Sequence, residues 1–81
     1  MLAHKGEDIV CSQGHKLGSI TEDIVEGRPI TGHELRIDFS VAGISPTNDG
    51  HSCRACNEKV TEVRDGTYRV RTTHGWVGEL S

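Results

Sequence analysis

The chain has 81 residues, of which 33% are hydrophobic and 26% are charged, and its formal net charge is −3 at pH 7. Only 18 residues are Leu, Ile, Val or Phe, so a single small domain with a thin core is expected, and this core needs a further source of stability. The sequence has no run of about 18 apolar residues and no apolar stretch typical of a secretion signal. We therefore exclude a membrane span and expect a cytoplasmic protein.

The first third of the chain predicts short extended segments. Residues 8–10 form a short extended lead into Cys11, and residues 12–16 are predicted to make a tight polar turn. Residues 17–25 contain a Ser-x-x-Glu pattern that can cap a helix, but a glycine and several β-branched residues oppose a helix there. We predict a strand or an irregular turn over residues 17–25.

The middle of the chain predicts one helical turn and one strand. Residues 31–34 have the pattern of a capped helical turn. From Leu35 to Val41, apolar and polar residues alternate with the period of two that is typical of a half-buried strand. Residues 42–50 are rich in glycine, proline and short polar residues, so we predict an irregular loop.

Asp65-Gly66 lies between two β-rich segments and predicts a hairpin with a two-residue type I′ turn. The predicted pairs are Arg64 with Thr67, Val63 with Tyr68, Glu62 with Arg69, and Thr61 with Val70. Thr61, Val63, Tyr68 and Val70 then face the core, while Glu62 and Arg69 pair on the outer face. After this hairpin, His74-Gly75 is predicted to turn the chain so that Trp76 covers the core.

Two short ligand pairs dominate the sequence, namely Cys11-x3-His15 and Cys53-x2-Cys56. Three cysteines cannot form a closed set of disulfides, and a reducing compartment favours thiolate chemistry with a metal. Three thiolates and one imidazole match a tetrahedral structural Zn²⁺ site. Asn57, directly after the second pair, tolerates the positive φ that such a turn requires. We predict one structural zinc ion bound by Cys11, His15, Cys53 and Cys56.

Alternatives exist for these ligands. His51, two residues before Cys53, is the rival fourth ligand, although this close spacing is awkward for a turn that wraps around a metal. The Cys53-x2-Cys56 pair is also compatible with a redox pair, but the βαβ pattern that usually accompanies one is missing. His4, His33 and His74 are interpreted as ordinary surface or turn histidines.

With two ligand pairs that are each followed by β-rich sequence, residues 8–73 resemble a zinc ribbon built from two zinc knuckles. The resemblance implies a small β-rich, zinc-stabilised domain with an antiparallel zinc-ribbon-like sheet and the metal at one end. The first pair is one residue longer than a usual knuckle, and Asn57 replaces the expected glycine. We expect one zinc-binding domain over residues 1–81, with an ordered core at about residues 8–78.

The predicted zinc site disfavours an enzyme. Four protein ligands leave no open coordination position for a reacting water. The His-x-Glu and Pro-Cys-x2-Cys pattern of zinc deaminases is missing, as are nucleophile-elbow, phosphate-loop and dinucleotide-binding motifs. We expect a non-enzymatic protein.

Charge is distributed unevenly, with a net −4 over residues 1–50 and +1 over residues 51–81. The favoured function is a protein-interaction module, an adaptor or inhibitor, that presents an acidic surface to a basic partner. That surface is predicted to contain Glu22, Asp23, Glu26, Glu34 and Asp38. The competing interpretation of these carboxylates is a solvated face that keeps the protein soluble.

The alternative function is nucleic-acid binding by the basic C-terminal hairpin, and no membrane partner is expected. Tyr68 or Trp76 would be available to stack on bases. The basic stripe is predicted to contain Lys16, Arg54, Lys59, Arg69 and Arg71. The competing interpretation is that these charges face water beside acidic neighbours.

Overall fold

Eight short antiparallel strands and one 3₁₀ turn make up the regular structure of residues 1–78, the part of the chain that the computed structural model describes. The strands are β1 (Asp8–Val10), β2 (Lys16–Ile20), β3 (Leu35–Ile37), β4 (Ala42–Ile44), β5 (Gly50–Cys53), β6 (Lys59–Arg64), β7 (Thr67–Thr72) and β8 (Gly75–Val77), and the 3₁₀ helix is Gly32–Glu34. Within residues 1–78, no helix is long and apolar enough to cross a membrane.

The strands form one sheet composed of two meanders. Strands β1, β2 and β3 pair in sequence as the N-terminal meander, and strands β4 to β8 pair in sequence as the C-terminal meander. The order across the sheet is β3-β2-β1-β7-β6-β5-β4, with β8 also paired to β7. The two meanders meet between β1 and β7, where Ile9 pairs with Thr72. The small β-rich, antiparallel architecture expected from the sequence is confirmed.

The core lies between the two meanders and draws on both. Its apolar members are Ala3, Ile9, Leu17, Ile20, Ile24, Ile30, Ala42, Val60, Val70 and Val77, together with the side chains of Cys11 and Cys53. Most of these are small or β-branched aliphatic side chains, so each contributes a limited area of apolar surface. The thin core expected from the composition is therefore present, and two sulfurs are part of it.

The hairpin of β6 and β7 has the predicted register at all four residue pairs. Asp65 and Gly66 have φ values of 52° and 78°, as a type I′ turn requires. Arg69 Nε lies 3.1 Å from Glu62 Oε2 on the outer face, as expected. Of the four residues predicted to face the core, Val63 is half-buried and lies outside the core cluster.

Two further predictions concern β8 and the 3₁₀ turn. Trp76 was expected to cover the core, but its ring lies on the outer side, 4.4 Å from the guanidinium carbon of Arg69, and Val77 is the β8 residue that joins the core. The capped turn at residues 31–34 is confirmed, because Thr31 and Glu34 form a capping box around the 3₁₀ helix. The predicted capping residues are thus confirmed, and the predicted position of Trp76 over the core is wrong.

The strand predicted over residues 35–41 ends at Ile37. The carbonyl of Asp38 accepts hydrogen bonds from the N–H groups of Val41 and Ala42, and its carboxylate accepts from the N–H of Ser40 at 3.0 Å. These bonds turn the chain and leave Phe39 60% exposed. The predicted half-buried strand is therefore wrong beyond residue 37.

The irregular loop predicted over residues 42–50 is also wrong in part. Strand β4 occupies residues 42–44 and pairs with β5, while residues 45–49 form the connecting loop. In this loop the hydroxyl of Ser45 donates to Asp49 at 3.0 Å, and Lys59 binds the same carboxylate oxygen at 2.7 Å. Over residues 17–25, strand β2 ends at Ile20 and a bend follows, as the prediction allowed.

Gly18 in β2 tests how closely β2 packs against β3. A Cβ atom at Gly18 would lie 2.0 Å from the backbone oxygen of Arg36, whereas a Cβ atom at Gly43 would meet only the Arg54 side chain, at an ordinary 3.8 Å. We expect Gly18→Ala to lower the free energy of unfolding by about 1–3 kcal/mol or more and Gly43→Ala to change it by less than about 0.5 kcal/mol. Urea unfolding of both variants measures this, and equal effects would contradict the close approach of β2 and β3.

Candidate metal centre

The first ligand pair lies on the turn that joins β1 to β2. The N–H of Cys11 donates to the carbonyl of His15 at 3.1 Å, and the N–H of Gly14 donates to the carbonyl of Cys11 at 3.0 Å. Gly14 adopts a φ of 85°, which is the left-handed conformation that glycine adopts without steric cost. This tight turn brings the His15 imidazole back over the sulfur of Cys11.

The second pair lies on the turn that joins β5 to β6. The N–H of Asn57 donates to the carbonyl of Cys53 at 2.7 Å, and the N–H of Cys53 donates to the carbonyl of Glu58 at 2.9 Å. Asn57 has a φ of 60°, which confirms the positive φ predicted for the residue after Cys56. The turn places both sulfurs on the side that faces the first turn.

All four predicted ligands come together. The nearest ligand atoms of Cys11, His15, Cys53 and Cys56 lie within 4.8 Å of one another. Nδ1 of His15 is 3.1 Å from the sulfur of Cys11 and 3.7 Å from the sulfur of Cys53. Ligand atoms that surround one small ion tetrahedrally, each about 2.0–2.3 Å from it, lie about 3.3–3.8 Å apart, close to the two His15 distances. The cluster can therefore hold one metal ion.

The cluster is sheltered on its sulfur side and open on its imidazole side. Cys11 and Cys53 are buried, Cys56 is half-buried, and His15 is exposed. The two meanders contribute equally, because the first two ligands belong to the N-terminal meander and the other two to the C-terminal meander. A bound ion would cross-link the two parts of the sheet.

Backbone N–H groups prepare two of the thiols for metal binding. Burial raises the pKa of the Cys11 thiol. The backbone N–H groups of His15 and Gln13, together with hydrogen bonds of the Cys56 and His15 side chains, outweigh burial, so this pKa lies below its usual value. At Cys53, burial raises the thiol pKa and hydrogen bonds from the N–H groups of Cys56 and Ala55 lower it. The net result is again a pKa below the usual value. Thiolates are the form that binds metals, so these donors favour the ligand state.

Cys56 differs from the other two thiols. The N–H of Glu58 lowers its pKa, but burial and the neighbouring sulfurs of Cys11 and Cys53 raise it more, and the pKa lies above its usual value. Three thiolates repel one another in a small space unless a cation compensates their charge. A divalent ion would supply that compensation.

The rival ligand His51 lies outside the cluster. Its Nδ1 is 2.8 Å from the hydroxyl of Thr61, and its ring packs edge-on against Phe39 with a centroid distance of 5.6 Å. Burial lowers the pKa of His51. His4, His33 and His74 also lie outside the group that the described residues bring together. The choice between the two candidate histidines therefore favours His15.

Sequence reasoning missed Glu58, which bridges the two turns. One carboxylate oxygen accepts hydrogen bonds from the N–H of Ser12, at 3.0 Å, and from the Ser12 hydroxyl, while the other lies 3.1 Å from Nη1 of Arg71. The Ser12 donors and the Arg71 charge lower the pKa of Glu58. Ser12 is 46 residues away in the chain, so no local pattern indicates this contact.

No family model, curated protein or solved structure matches this chain. The centre is therefore interpreted from its own geometry, and a Cys/His cluster alone assigns the chain to no family.

The two histidines allow a direct test of the ligand set. We expect His15→Ala to weaken metal binding by at least about 100-fold. Loss of a residue that only hydrogen-bonds to a metal ligand typically lowers metal affinity by about 10- to 100-fold, so loss of a ligand should cost more. His51→Ala should leave the affinity unchanged, since its imidazole bonds to Thr61. Competition with a chromophoric chelator measures both constants. Stronger loss in His51→Ala than in His15→Ala would refute the assignment.

Proposed function

We propose that this protein binds one structural zinc ion and acts, without catalytic activity, as a protein-interaction module. The convergence of Cys11, His15, Cys53 and Cys56 within 4.8 Å carries the zinc part of the proposal. Three soft sulfur donors and one imidazole select zinc over the hard cations Mg²⁺ and Ca²⁺, which prefer oxygen. The zinc-ribbon resemblance belongs to the same proposal, since the β1–β2 turn and the β5–β6 turn supply two ligands each.

The closed ligand set supports a structural role for the ion. Zinc in structural sites is held by four protein ligands in tetrahedral geometry, whereas catalytic zinc keeps a position open for water or substrate. Here four protein side chains are available within one cluster, and two of the sulfurs are also buried members of the hydrophobic core. The ion would then complete the core, and it would leave no coordination site for a reaction.

Chelation tests the structural role. Structural zinc contributes on the order of 10 kcal/mol of apparent binding free energy in small domains, more than many such domains have as net stability. We expect one zinc per chain, and we expect an excess of chelator to remove it and to collapse the dispersed amide NMR spectrum. Cys53→Ser should behave like the chelated protein. A wild-type protein that stays folded and metal-free would refute the proposal.

The interaction part of the proposal is supported by carboxylates held in fixed positions. Asp23 accepts a hydrogen bond from the N–H of Lys5 at 2.8 Å, and Glu34 accepts from the N–H of Thr31 at 2.9 Å. Asp38 binds the N–H of Ser40. Three of the five predicted acidic residues are thus ordered by the backbone, which reduces the entropy that a partner must remove on binding.

An apolar patch begins directly after Asp38, one of the ordered carboxylates. Phe39 directly follows Asp38 and is 60% exposed, and Ile44 is 59% exposed. Phe39 packs against the ring of His51, and Ile44 is the cross-strand neighbour of His51, so the three side chains form one patch. Exposed apolar side chains beside the fixed carboxylate of Asp38 fit a protein partner with a basic group next to an apolar centre.

The basic stripe offers less to a nucleic acid than its composition suggests. Four of its members have carboxylate partners at 2.7–3.3 Å, and the fifth, Arg54, donates from Nε to the carbonyl of Ala42 at 3.1 Å. The four ion pairs join Lys16 to Asp8, Lys59 to Asp49, Arg69 to Glu62, and Arg71 to Glu58. Charge already paired with carboxylates contributes less to phosphate binding. This arrangement favours a protein partner over the nucleic-acid alternative.

Two binding experiments distinguish the candidates. At about 50 mM salt we expect no retention on immobilised single-stranded or double-stranded DNA, because phosphate binding would be strongest at low salt. We also expect a protein captured from a cell extract by the wild type to be lost with Phe39→Ser/Ile44→Ser. Salt-sensitive DNA binding that disappears in Arg69→Ala/Arg71→Ala would contradict the proposal and support the alternative.

A further inference from the structure

The carboxylate of Glu58 connects the two turns that carry the metal ligands. It receives two hydrogen bonds from Ser12, the residue after Cys11, and it forms an ion pair with Arg71 at 3.1 Å. Ser12 belongs to the N-terminal meander, whereas Glu58 and Arg71 belong to the C-terminal meander. Both carboxylate oxygens are therefore used, and they join separate parts of the sheet.

The backbone of Glu58 takes part in the second turn itself. Its carbonyl accepts from the N–H of Cys53 at 2.9 Å, and its N–H is directed at the sulfur of Cys56. One residue thus contacts the first ligand turn through its side chain and the second through its main chain. Movement of the first turn away from the second would break the Ser12 bonds.

Arg71 places this network at the junction of the meanders. It is adjacent to Thr72, whose pairing with Ile9 joins β7 to β1. The side chains of Arg71 and Glu58 are each 28% exposed, so the ion pair is partly shielded from solvent. Partly shielded pairs hold their geometry better than fully exposed ones, which are screened by water and salt.

We propose that Glu58 is a positioning residue that pre-organises the metal centre, an inference that rests on the proposed function. By fixing Ser12, it holds Cys11 and His15 opposite Cys53 and Cys56 before an ion binds. A pre-organised site loses less conformational freedom when it binds its ligand, so it binds more tightly. Outer partners of metal ligands typically contribute 10- to 100-fold to metal affinity.

A second carboxylate provides a matched control. Glu62 pairs with Arg69 at the same distance of 3.1 Å, and both side chains are similarly shielded, at 26% and 34% exposure. This pair also joins β6 to β7, but it lies within one meander and bonds to neither ligand turn. Glu58→Gln and Glu62→Gln therefore remove comparable charges. Only the first weakens the link to Ser12, because glutamine has one acceptor oxygen where Ser12 and Arg71 each use one.

The experiment measures Zn²⁺ affinity by competition with a chromophoric chelator and follows the absorption bands of bound Co²⁺. We expect Glu58→Gln to weaken Zn²⁺ binding by about 10- to 100-fold, and Glu62→Gln to change it by less than about two-fold. Ser12→Ala should give a smaller loss, because it keeps the backbone N–H donor to Glu58. The losses of Ser12→Ala and Glu58→Gln should not add in the double variant, because both weaken the same contact. The Co²⁺ bands of the saturated Glu58→Gln protein should retain their thiolate character, since all four ligands remain.

Equal affinities for Glu58→Gln and Glu62→Gln would overturn the role of Glu58 and leave the metal site intact. Additive losses in the double variant would also overturn it. If the wild type binds neither Zn²⁺ nor Co²⁺, the proposed function fails and this inference fails with it. Should Glu58→Gln not fold, Ser12→Ala decides, because it removes one hydroxyl from the same contact, and an unchanged affinity there would refute the proposal.

Discussion

The pairing of Ile9 with Thr72 is the point on which the rest of the architecture depends, because it is where the two meanders join into one sheet. One residue pair contributes little by itself, so the association of the meanders must rely on what spans the joint. Several features do so, among them the shared aliphatic core, the backbone bridge between Ile30 and Tyr68, the Ser12–Glu58–Arg71 network and the Cys/His cluster. A metal ion bound by two ligands from each side would act on this joint as a cross-link, as a disulfide does in small secreted domains.

The charge asymmetry of the chain takes a different form in three dimensions. The slightly basic second half largely neutralises itself, since Glu58 and Glu62 pair with Arg71 and Arg69 within the C-terminal meander. In the first half, Asp8 and Asp49 pair with lysines, but Asp23, Glu34 and Asp38 instead bind backbone N–H groups. Backbone hydrogen bonds order a carboxylate without cancelling its charge. The negative excess of the first half therefore stays on the surface.

Features that depend on neighbouring residues were predictable from the sequence. The hairpin register followed from the two-residue turn at Asp65-Gly66, and the capping box followed from the spacing of Thr31 and Glu34. The four clustered side chains followed from paired-ligand spacing, although only the structure separates His15 from His51. In each case the signal lies within a few residues.

Features that depend on a competing local turn or on distant partners were not predictable. The alternation from Leu35 to Val41 indicates a strand, yet the hydrogen bonds of Asp38 end the strand after residue 37. Trp76 lies beneath Arg69 because the outer face of the hairpin provides a cation there. The contact of Ser12 with Glu58 has no counterpart in local sequence at all. The turn at Asp38 is a local structure that competes with the strand pattern, whereas the other two outcomes depend on residues farther away in the chain.

The hydrogen bond from Arg54 to Ala42 protects part of an open edge of the sheet. Strand β4 is the last strand of the sheet, and the open edge of such a strand can recruit another chain by main-chain hydrogen bonding. Ala42 donates its N–H to Asp38 at 3.0 Å, and its carbonyl accepts from Arg54 at 3.1 Å. Both backbone groups at the start of the edge are thus occupied within the chain. The start of this edge, close to the exposed side chains of Phe39 and Ile44, therefore offers fewer backbone groups for pairing with another chain.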